Sequence, residues 1–385
     1  MKFLHLGDLH LGKTLSDFDL IQDQQYILDQ ILDIADKESV DGILIAGDVY
    51  DKSIPSEAAT RLLDYFLSKL AEKEIKVFVV SGNHDSDDRL NFGSTLFASN
   101  QIFISAVFDG TLHKQSFANG DTEIDIYMLP FVKASQVRHY FPDEDIESYD
   151  AAVRTIIRNT PINKTHKNIL VAHQFVAGKG EDPALAGSEG VGTQSVGTVE
   201  KIGYDVFADF DYVALGHIHS PQRVGRDEVR YSGSPLKYSL SESNNEKSVP
   251  LITVSAEEKI KIEIVPLKPM RNLRHIRGTL KELLDKKNVK APEDFIYATL
   301  TDEDIINDAM GIFQQVYPNT VRIDYDNSHT REIEQVDISR IAENKSFSEL
   351  IGDFYRLMYG CEITAEEMDV MRTAAREAGV INEAD

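Results

Sequence analysis

The chain has 385 residues, of which 42% are hydrophobic and 27% charged, and its formal net charge is −24 at pH 7. This length and composition predict a folded protein of more than one domain, and the acidic charge argues against binding nucleic acid by bulk attraction alone. The single cysteine, Cys361, excludes an intrachain disulfide and a cysteine-based zinc cluster. Because we find neither a signal-peptide pattern nor an apolar run of about 20 residues, we expect a cytoplasmic protein without a membrane partner.

Apolar strands and amphipathic helices alternate over the first 80 residues. Strands are predicted at 2–6, 43–46 and 77–80, and helices over 20–35 and from Ser56 to about Leu70. This order is typical of an α/β layered fold. Further strands are predicted at 124–129, 168–172, 212–215, 251–254 and 260–265, with little helix between the later ones. The pattern therefore predicts a mixed sheet or two stacked sheets.

The segment 178–197 is rich in glycine and small polar residues and follows a predicted strand that ends at His173. Its composition predicts a loop. Two interpretations stay open for it, namely a solvated connection and a mobile loop that contacts substrate.

A second pattern begins after Pro269. Residues 273–325 are predicted to form strand, helix, strand, helix and strand, with FIYATL (295–300) and TVRIDY (320–325) as the clearest strands. This order is typical of a small, separate α+β domain.

Two short helices are expected near the end of the chain, after a polar stretch. Ser346 with Glu349, and Thr364 with Glu367, have the spacing of capping boxes. The apolar residues of these helices are Phe347, Leu350, Ile351, Phe354, Leu357, Met358, Met368, Met371 and Ala375. Such faces either fold back on the core or await a partner. The resulting segments are 1–270, 271–326, 327–345 and 346–385.

The octapeptide GDLHLGKT at residues 7–14 satisfies the P-loop pattern, so ATP binding is one interpretation of it. A P-loop wraps phosphate oxygens with backbone N–H groups at a helix N-terminus. Here Asp8 would place a carboxylate in that cradle, and the helical pattern begins only near Asp19. We therefore expect no ATP binding by this chain, and we take Asp8 and His10 as the functional residues.

Polar residues directly follow five predicted strands. The five segments are Gly7-Asp8-Leu9-His10, Gly47-Asp48, Gly82-Asn83-His84-Asp85, His173 and Gly216-His217-Ile218-His219. Because ligands bind at the carboxyl ends of strands in open α/β sheets, we expect these side chains to converge. A set of carboxylate, amide and imidazole ligands without thiolate suits Mn, Fe or Zn. Seven ligands fit two ions that share a bridging carboxylate, an arrangement that hydrolyses phosphoesters.

These motifs, GDLHLG, GDVYD, GNHD, a strand-end histidine and GHIH in that order, resemble the calcineurin-like metallophosphoesterases over about residues 1–270. DLHLG, GNHDS and GSPLKYS (233–239) further resemble the SbcD subfamily, the nuclease subunits of bacterial SbcCD complexes. The resemblance implies an α/β fold of stacked mixed β-sheets flanked by helices. It also implies a DNA-capping domain at 271–326, a linker at 327–345, and a helix pair at 346–385 that docks on a coiled coil.

The resemblance implies a role for each site residue. One Mn ion would be bound by Asp8, His10 and His219, the other by Asn83, His173 and His217, with Asp48 bridging the two. His84 would not be a ligand. It would face the scissile phosphate, to stabilise the transition state or protonate the leaving oxygen. Asp51 stands where some archaeal and eukaryotic relatives have a histidine, so no second catalytic imidazole is implied.

The implied activity is Mn-dependent 3'–5' exonuclease action on double-stranded DNA and endonuclease action on single strands and hairpins, in recombination, replication and repair at the nucleoid. The implied partners are DNA, an SbcC-type coiled-coil ATPase and a second copy of the chain, in a heterotetramer. One alternative is a metallophosphodiesterase of cyclic nucleotides or other small phosphodiesters, which would suit the acidic charge. The other is a non-enzymatic scaffold, which would have no need of seven converging polar groups.

Overall fold

The computed structural model describes residues 1–120, 122–178, 182–185, 201–256, 258–328, 330, 346–359 and 362–377. The chain divides into two compact units, Met1–Leu273 and Arg274–Asp385. Most of the predicted glycine-rich loop and of the predicted linker lies outside the described residues. Within the described residues, no helix has the length and apolar composition to span a membrane.

The strands in chain order are β1 Lys2–Leu6, β2 Thr14–Leu15, β3 Phe18–Asp19, β4 Gly42–Ala46, β5 Lys76–Val80, β6 Ile102–Ser105, β7 His113–Asn119, β8 Thr122–Leu129, β9 Lys167–His173, β10 Val176–Ala177, β11 Ile202–Gly203, β12 Tyr212–Gly216, β13 Gln222–Val224, β14 Arg226–Tyr231, β15 Ser248–Thr253, β16 Lys261–Pro266, β17 Leu273–Gly278, β18 Phe295–Leu300 and β19 Thr320–Tyr325. The helices are α1 Ile21–Glu38, α2 Glu57–Glu72, α3 Asp87–Asn91, α4 Ser94–Ala98, α5 Ala134–Tyr140, α6 Tyr149–Arg158, α7 Leu280–Leu283, α8 Ala309–Gln314, α9 Phe347–Tyr359 and α10 Ala365–Glu377.

The first unit contains two six-stranded mixed sheets. One has the strand order β16-β15-β1-β4-β5-β6, and the other has the order β13-β14-β12-β9-β8-β7. In the first sheet β1, β4, β5 and β6 are parallel, and β15 and β16 add an antiparallel edge. In the second, β8, β9, β12 and β14 are parallel, with antiparallel strands at both edges. Each sheet therefore has a parallel centre whose strands all end at the same edge.

The two sheets stack face to face over a shared apolar core. Phe3 and Phe78 of the first sheet pack in one cluster with Ile126, Val171 and other residues of the second. A fully buried phenylalanine or aliphatic side chain contributes about 1.5–3 kcal/mol relative to an exposed one, so this layer is a major source of stability. The prediction of stacked mixed sheets is confirmed.

Helices cover the remaining faces of the first unit. On the outer face of the second sheet, Val137 of α5 and Ile156 of α6 pack in one buried cluster with Leu170 and Leu215. Helix α2 packs against β5 and α1, and the side chain of Ser56 caps α2 by accepting from the Ala59 N–H at 3.2 Å. The sequence signals for α1 and α2 are thus borne out to within a few residues.

The second unit holds the predicted strand–helix–strand–helix–strand order in a three-stranded sheet, β17-β18-β19, over its own core around Phe313 and Tyr317. Both predicted capping boxes form. Glu349 N–H donates to Ser346 Oγ at 3.3 Å, and Ser346 N–H donates back to Glu349 Oε2 at 2.8 Å. Helices α9 and α10 pack on each other, and the Arg372 guanidinium reaches Ser348 Oγ at 2.6 Å.

Candidate metal centre

The eight predicted site residues lie together at the shared carboxyl edge of the two sheets. Strands β1, β4 and β5 are neighbours in the first sheet, and β9 and β12 are neighbours in the second. The two edges are joined directly, because His173 Nδ1 lies 2.9 Å from the carbonyl oxygen of Ala46, and the His217 N–H donates to Asp8 Oδ1 at 2.8 Å.

The backbone at the strand ends adopts strained conformations. Four of the ten non-glycine residues with positive φ among the described residues are Asp8, His10, Asp48 and His217, with φ of 53°, 44°, 48° and 108°. Such conformations cost energy and cluster at functional sites. Glycine makes the close approach of the sheets feasible here: a Cβ on Gly216 would lie 1.8 Å from the Ala46 carbonyl oxygen. A Cβ on Gly47 or Gly82 would also lie within 2.5 Å of His173 or Asp48, so these three glycines have a steric role.

Asp8, His10 and His219 form one buried group whose ligand atoms all lie within 4.8 Å of one another. The Nε2 atoms of His10 and His219 are 3.1 Å apart. Asp8 Oδ2 is buried and has no hydrogen-bond partner among the described residues. A buried carboxylate oxygen without a donor is costly, and a metal cation would satisfy it.

A second group surrounds the amide of Asn83. Its Oδ1 is 3.0 Å from His173 Nε2 and 3.0 Å from His217 Nδ1. Asp48 lies between the two groups, with Oδ2 3.4 Å from His173 Nε2 and 3.5 Å from His10 Nε2. The donor set of carboxylate, amide and imidazole fits two divalent ions that share Asp48.

The protonation states favour cation binding. Burial lowers the pKa of His10 to about 4, so its imidazole is neutral at neutral pH, as a ligand must be. Burial acts to raise the pKa of Asp48, but His173 and His10 in their protonated forms outweigh it and hold that pKa below its ordinary value. Burial raises the pKa of Asp8 because its negative charge lacks full compensation. The protein alone therefore compensates the ionised form of Asp8 poorly, and a bound cation would stabilise that form.

His84 is half-buried beside both groups. Its backbone N–H donates to Asp48 Oδ1 at 2.9 Å, and its Nδ1 lies 2.9 Å from the carbonyl oxygen of Asp51. Its ring stands edge-on to that of His10, with 4.8 Å between the ring centroids. A ring nitrogen of His84 also lies within 4.8 Å of possible ligand atoms of His10 and Asp48. Hydrogen bonding of Nδ1 to a carbonyl requires the proton on Nδ1, which fixes the ring orientation.

The P-loop-like octapeptide has a different structure from a phosphate cradle. Thr14 begins the short strand β2, and the first helix starts only at Ile21. The Lys13 ammonium donates to Asp51 Oδ1 at 2.7 Å, and the same carboxylate lies 3.5 Å from His10 Nδ1. The helix N-terminus that a P-loop requires is therefore absent directly after Lys13, and this lysine pairs with Asp51 beside the candidate metal site.

Sequence reasoning gave no role to two residues that hold the site loops, Asp85 and Gln24. Asp85 accepts from the backbone N–H groups of Gly82, Val49 and Tyr50 at 2.9–3.1 Å, which ties the loops after β4 and β5 together. Gln24, buried on α1, donates to the His10 carbonyl at 2.7 Å. The GNHD motif could have indicated Asp85, but no local signal indicates Gln24.

Two family models match the chain. The calcineurin-like phosphoesterase model matches residues 1–221, and the SbcD C-terminal model, described as the type 5 capsule protein repressor C-terminal domain, matches residues 269–359.

Similar solved structures include a dimetal phosphatase from Danio rerio, at 12% identity and a TM-score of 0.39, with 69% of this chain and 96% of that chain covered. The protein TT1561 of Thermus thermophilus is similar at 12% identity and a TM-score of 0.39, with 69% of this chain and 98% of that chain covered. GAP50, the anchor in the inner membrane complex of Plasmodium, is similar at 14% identity and a TM-score of 0.39. The match covers 85% of this chain and 98% of that chain. With a match over residues 1–221 and the metal-type cluster in that range, the chain belongs to the calcineurin-like phosphoesterase family, as a metal-dependent phosphoesterase with an SbcD-type C-terminal domain.

Proposed function

We propose that the chain is the Mn-dependent DNA nuclease subunit of an SbcCD-type complex. It would digest double-stranded DNA 3'–5' and cut single strands and hairpins, in recombination, replication and repair at the nucleoid. The observation that carries the proposal is the pairing of a dinuclear-type metal site with an SbcD-type C-terminal domain at 269–359. A general phosphoesterase would not need the second feature.

The proposed ligand roles follow the two groups of side chains. Asp8, His10 and His219 hold one ion, Asn83, His173 and His217 hold the other, and Asp48 bridges them, as its distances to His10 and His173 support. Two divalent ions bound there would activate water and polarise the oxygens of a phosphodiester. Asn83 is exposed and His217 partly exposed, whereas Asp8 and His173 are buried, so substrate would enter from the Asn83 side.

His84 is proposed as the catalytic residue that is not a ligand. Its hydrogen bonds through Nδ1 to the Asp51 carbonyl and through its backbone to Asp48 hold the ring at the rim of the metal site. With Nδ1 engaged, Nε2 is left for substrate. A protonated ring would donate from Nε2 to a phosphoryl oxygen or to the leaving oxygen.

A small-molecule metallophosphodiesterase is the second candidate. The net charge of −24 favours it, because so acidic a protein repels DNA. The SbcD-type C-terminal match weighs against it, since a cyclic-nucleotide enzyme would have no use for that domain. In the nuclease proposal, the metal ions and the ATPase partner offset the repulsion.

A homodimer is proposed through an apolar surface of the first unit. Phe92 and Leu96 expose 82% and 75% of their surface. Phe92 also borders a groove of about 620 Å³ that is lined by side chains of α2 and β6, among them Leu67 and Ile102. Leu96 lies on α4, which contacts the groove-lining strand β6, so two copies could bury these exposed side chains and the groove around a two-fold axis.

The SbcC-type coiled-coil ATPase is proposed to dock on α9 and α10. The two helices already pack on each other, yet Phe354, Val370 and Met371 stay 53%, 68% and 40% exposed. An amphipathic helix pair with apolar side chains left exposed is suited to helix-against-helix recognition. ATP would bind to that partner and not to this chain.

The first prediction concerns the bridging carboxylate. Asp48→Asn keeps the size of the side chain but removes the charge shared by the two ions, so the purified variant should retain fewer than two Mn ions per chain. Elemental analysis after gel filtration measures this. Asp88→Asn, at an exposed aspartate a few residues beyond the GNHD motif, is the control. Retention of both ions by Asp48→Asn would contradict the bridging role.

The second prediction concerns His84. His84→Ala should keep two ions per chain, because the residue is not a ligand, yet lose roughly 10²–10⁴-fold in kcat on a single-stranded DNA substrate with Mn. His139→Ala removes an exposed histidine and should cleave at the normal rate. Loss of metal from His84→Ala would make the residue a ligand. A higher kcat/KM of the unaltered chain on a cyclic nucleotide than on DNA would favour the second candidate function.

The third prediction concerns the dimer. Introducing charge with Phe92→Asp and Leu96→Asp together should convert the dimer to a monomer in sedimentation velocity, because two buried apolar anchors are lost. Hydrolysis of bis-p-nitrophenyl phosphate with Mn should persist and report an intact fold. Met270→Asp, at a 44% exposed methionine that does not line the groove, should leave the dimer unchanged. A dimer that survives the double substitution would rule this surface out.

The fourth prediction concerns the helix pair. Deleting residues 340–385 should preserve metal content and Mn-dependent cleavage of single-stranded DNA, because the site lies wholly within Met1–Leu273. The deletion should abolish co-purification with the SbcC-type ATPase and ATP-stimulated degradation of double strands. Phe354→Asp in the full chain should weaken co-purification, whereas Asp369→Ala, also exposed, should not. Full complex formation by the truncated chain would show that the partner docks elsewhere.

A further inference from the structure

A buried ion pair beside the metal site has no part in the roles assigned above. Glu242 is 0% exposed and Lys247 is 5% exposed, and the Lys247 ammonium lies 2.5 Å from Glu242 Oε2. Taking two charges out of water is expensive, and apolar residues of similar size often serve stability equally well. This pair therefore calls for an explanation other than stability.

The pair holds His219 at two points. Glu242 Oε1 lies 3.5 Å from His219 Nδ1. The Lys247 ammonium donates to the backbone carbonyl of His219 at 2.9 Å and to Ser234 Oγ at 2.8 Å. Glu242 Oε1 also accepts from the backbone N–H of Tyr238 at 3.2 Å, which restricts where the carboxylate can sit. The ring and the backbone of one proposed metal ligand are thus tied to a single rigid network.

This contact decides which nitrogen of His219 is available. A carboxylate facing Nδ1 favours the tautomer with its proton on Nδ1, and that leaves the lone pair on Nε2. The Nε2 atom is the one that lies 3.1 Å from His10 Nε2, in the group with Asp8. A carboxylate behind a metal-binding imidazole both orients the ring and raises its basicity.

The motif GSPLKYS (233–239) contributes to the same wall of the site. The Tyr238 hydroxyl donates to the carbonyl of Leu9 at 2.6 Å, and its ring lies 5.8 Å and 6.0 Å from the rings of His10 and His219. Residues 234–247 therefore support the two histidines of one proposed metal site. They make no contact of this kind with His173 or Asn83 among the contacts of the described residues.

We propose that Glu242 is a positioning residue that holds His219 as an Nε2 ligand, and that Lys247 fixes the Glu242 carboxylate in place. The inference rests on the proposed metal-binding function. It predicts a selective effect, because only the site of Asp8, His10 and His219 depends on this network. The site of Asn83, His173 and His217 provides an internal comparison.

The test is a titration of the full-length chain with Mn, in which isothermal calorimetry measures each binding event. Glu242→Gln should weaken one of the two binding events by about 10–100-fold, the range for loss of a residue that orients a metal ligand, and leave the other event unchanged. Nitrogen-15 NMR of the metal-free chain gives a readout independent of activity. The His219 signals, identified by their loss in His219→Asn, should shift from the Nδ1–H tautomer towards a mixture in Glu242→Gln.

Two further variants separate positioning from stability. Glu242→Gln leaves the Lys247 charge buried without its carboxylate, so the double variant Glu242→Gln/Lys247→Met should recover thermal stability but not Mn affinity. Glu246→Gln, at an exposed glutamate four residues away, should match the unaltered chain in every measurement. Normal affinity at both sites in the double variant, or an unchanged His219 tautomer, would overturn the inference. Binding of fewer than two ions by the unaltered chain would contradict the proposed function instead, and the tautomer would still test Glu242.

Discussion

The face-to-face packing of two sheets with parallel centres is the constraint on which the rest of this protein depends. Parallel strands end at one edge, so a buried layer that fixes one sheet over the other also aligns the loops that follow them. Phe3 and Phe78 of one sheet and Val171 of the other belong to that layer. The bond of His173 Nδ1 to the Ala46 carbonyl joins the sheets at the site itself. Apolar burial thus supplies the free energy that holds the polar groups in place.

The site is costly to the folded protein in the absence of cations. Asp8 and Asp48 are buried with positive φ, and Asp8 Oδ2 has no donor among the described residues. An unpaired buried charge or a strained backbone conformation persists only where many surrounding contacts hold the residue in place. Here the surroundings include glycines that leave no room for a Cβ and Asp85, which gathers three backbone N–H groups. Divalent cations would neutralise the remaining carboxylate charge.

The proposed metal ligands and the residues that orient them come from different parts of the chain. The proposed ligands come from strand ends, whereas the groups that orient them come from elsewhere in the chain. Gln24 on α1 holds the His10 carbonyl, and Glu242, in the segment after GSPLKYS, faces His219. Ligand type decides which ions can bind, and the supporting contacts decide whether the ligand atoms are correctly placed beforehand. The C-terminal unit has exposed apolar side chains on its helix pair, so the proposed partner contacts and the proposed chemistry belong to different units.

The sequence by itself determined the layered fold and which strand-end side chains converge at one edge. Apolar runs, helical spacing and capping boxes are local signals, and a polar group at a strand end needs only the common direction of parallel strands to meet its neighbours. Tertiary structure alone decided that Lys13 pairs with Asp51, and that Gln24 and Glu242 support His10 and His219. Those contacts join segments far apart in the chain. Their distances follow from how the sheets stack, a long-range packing result that no local pattern of residues encodes.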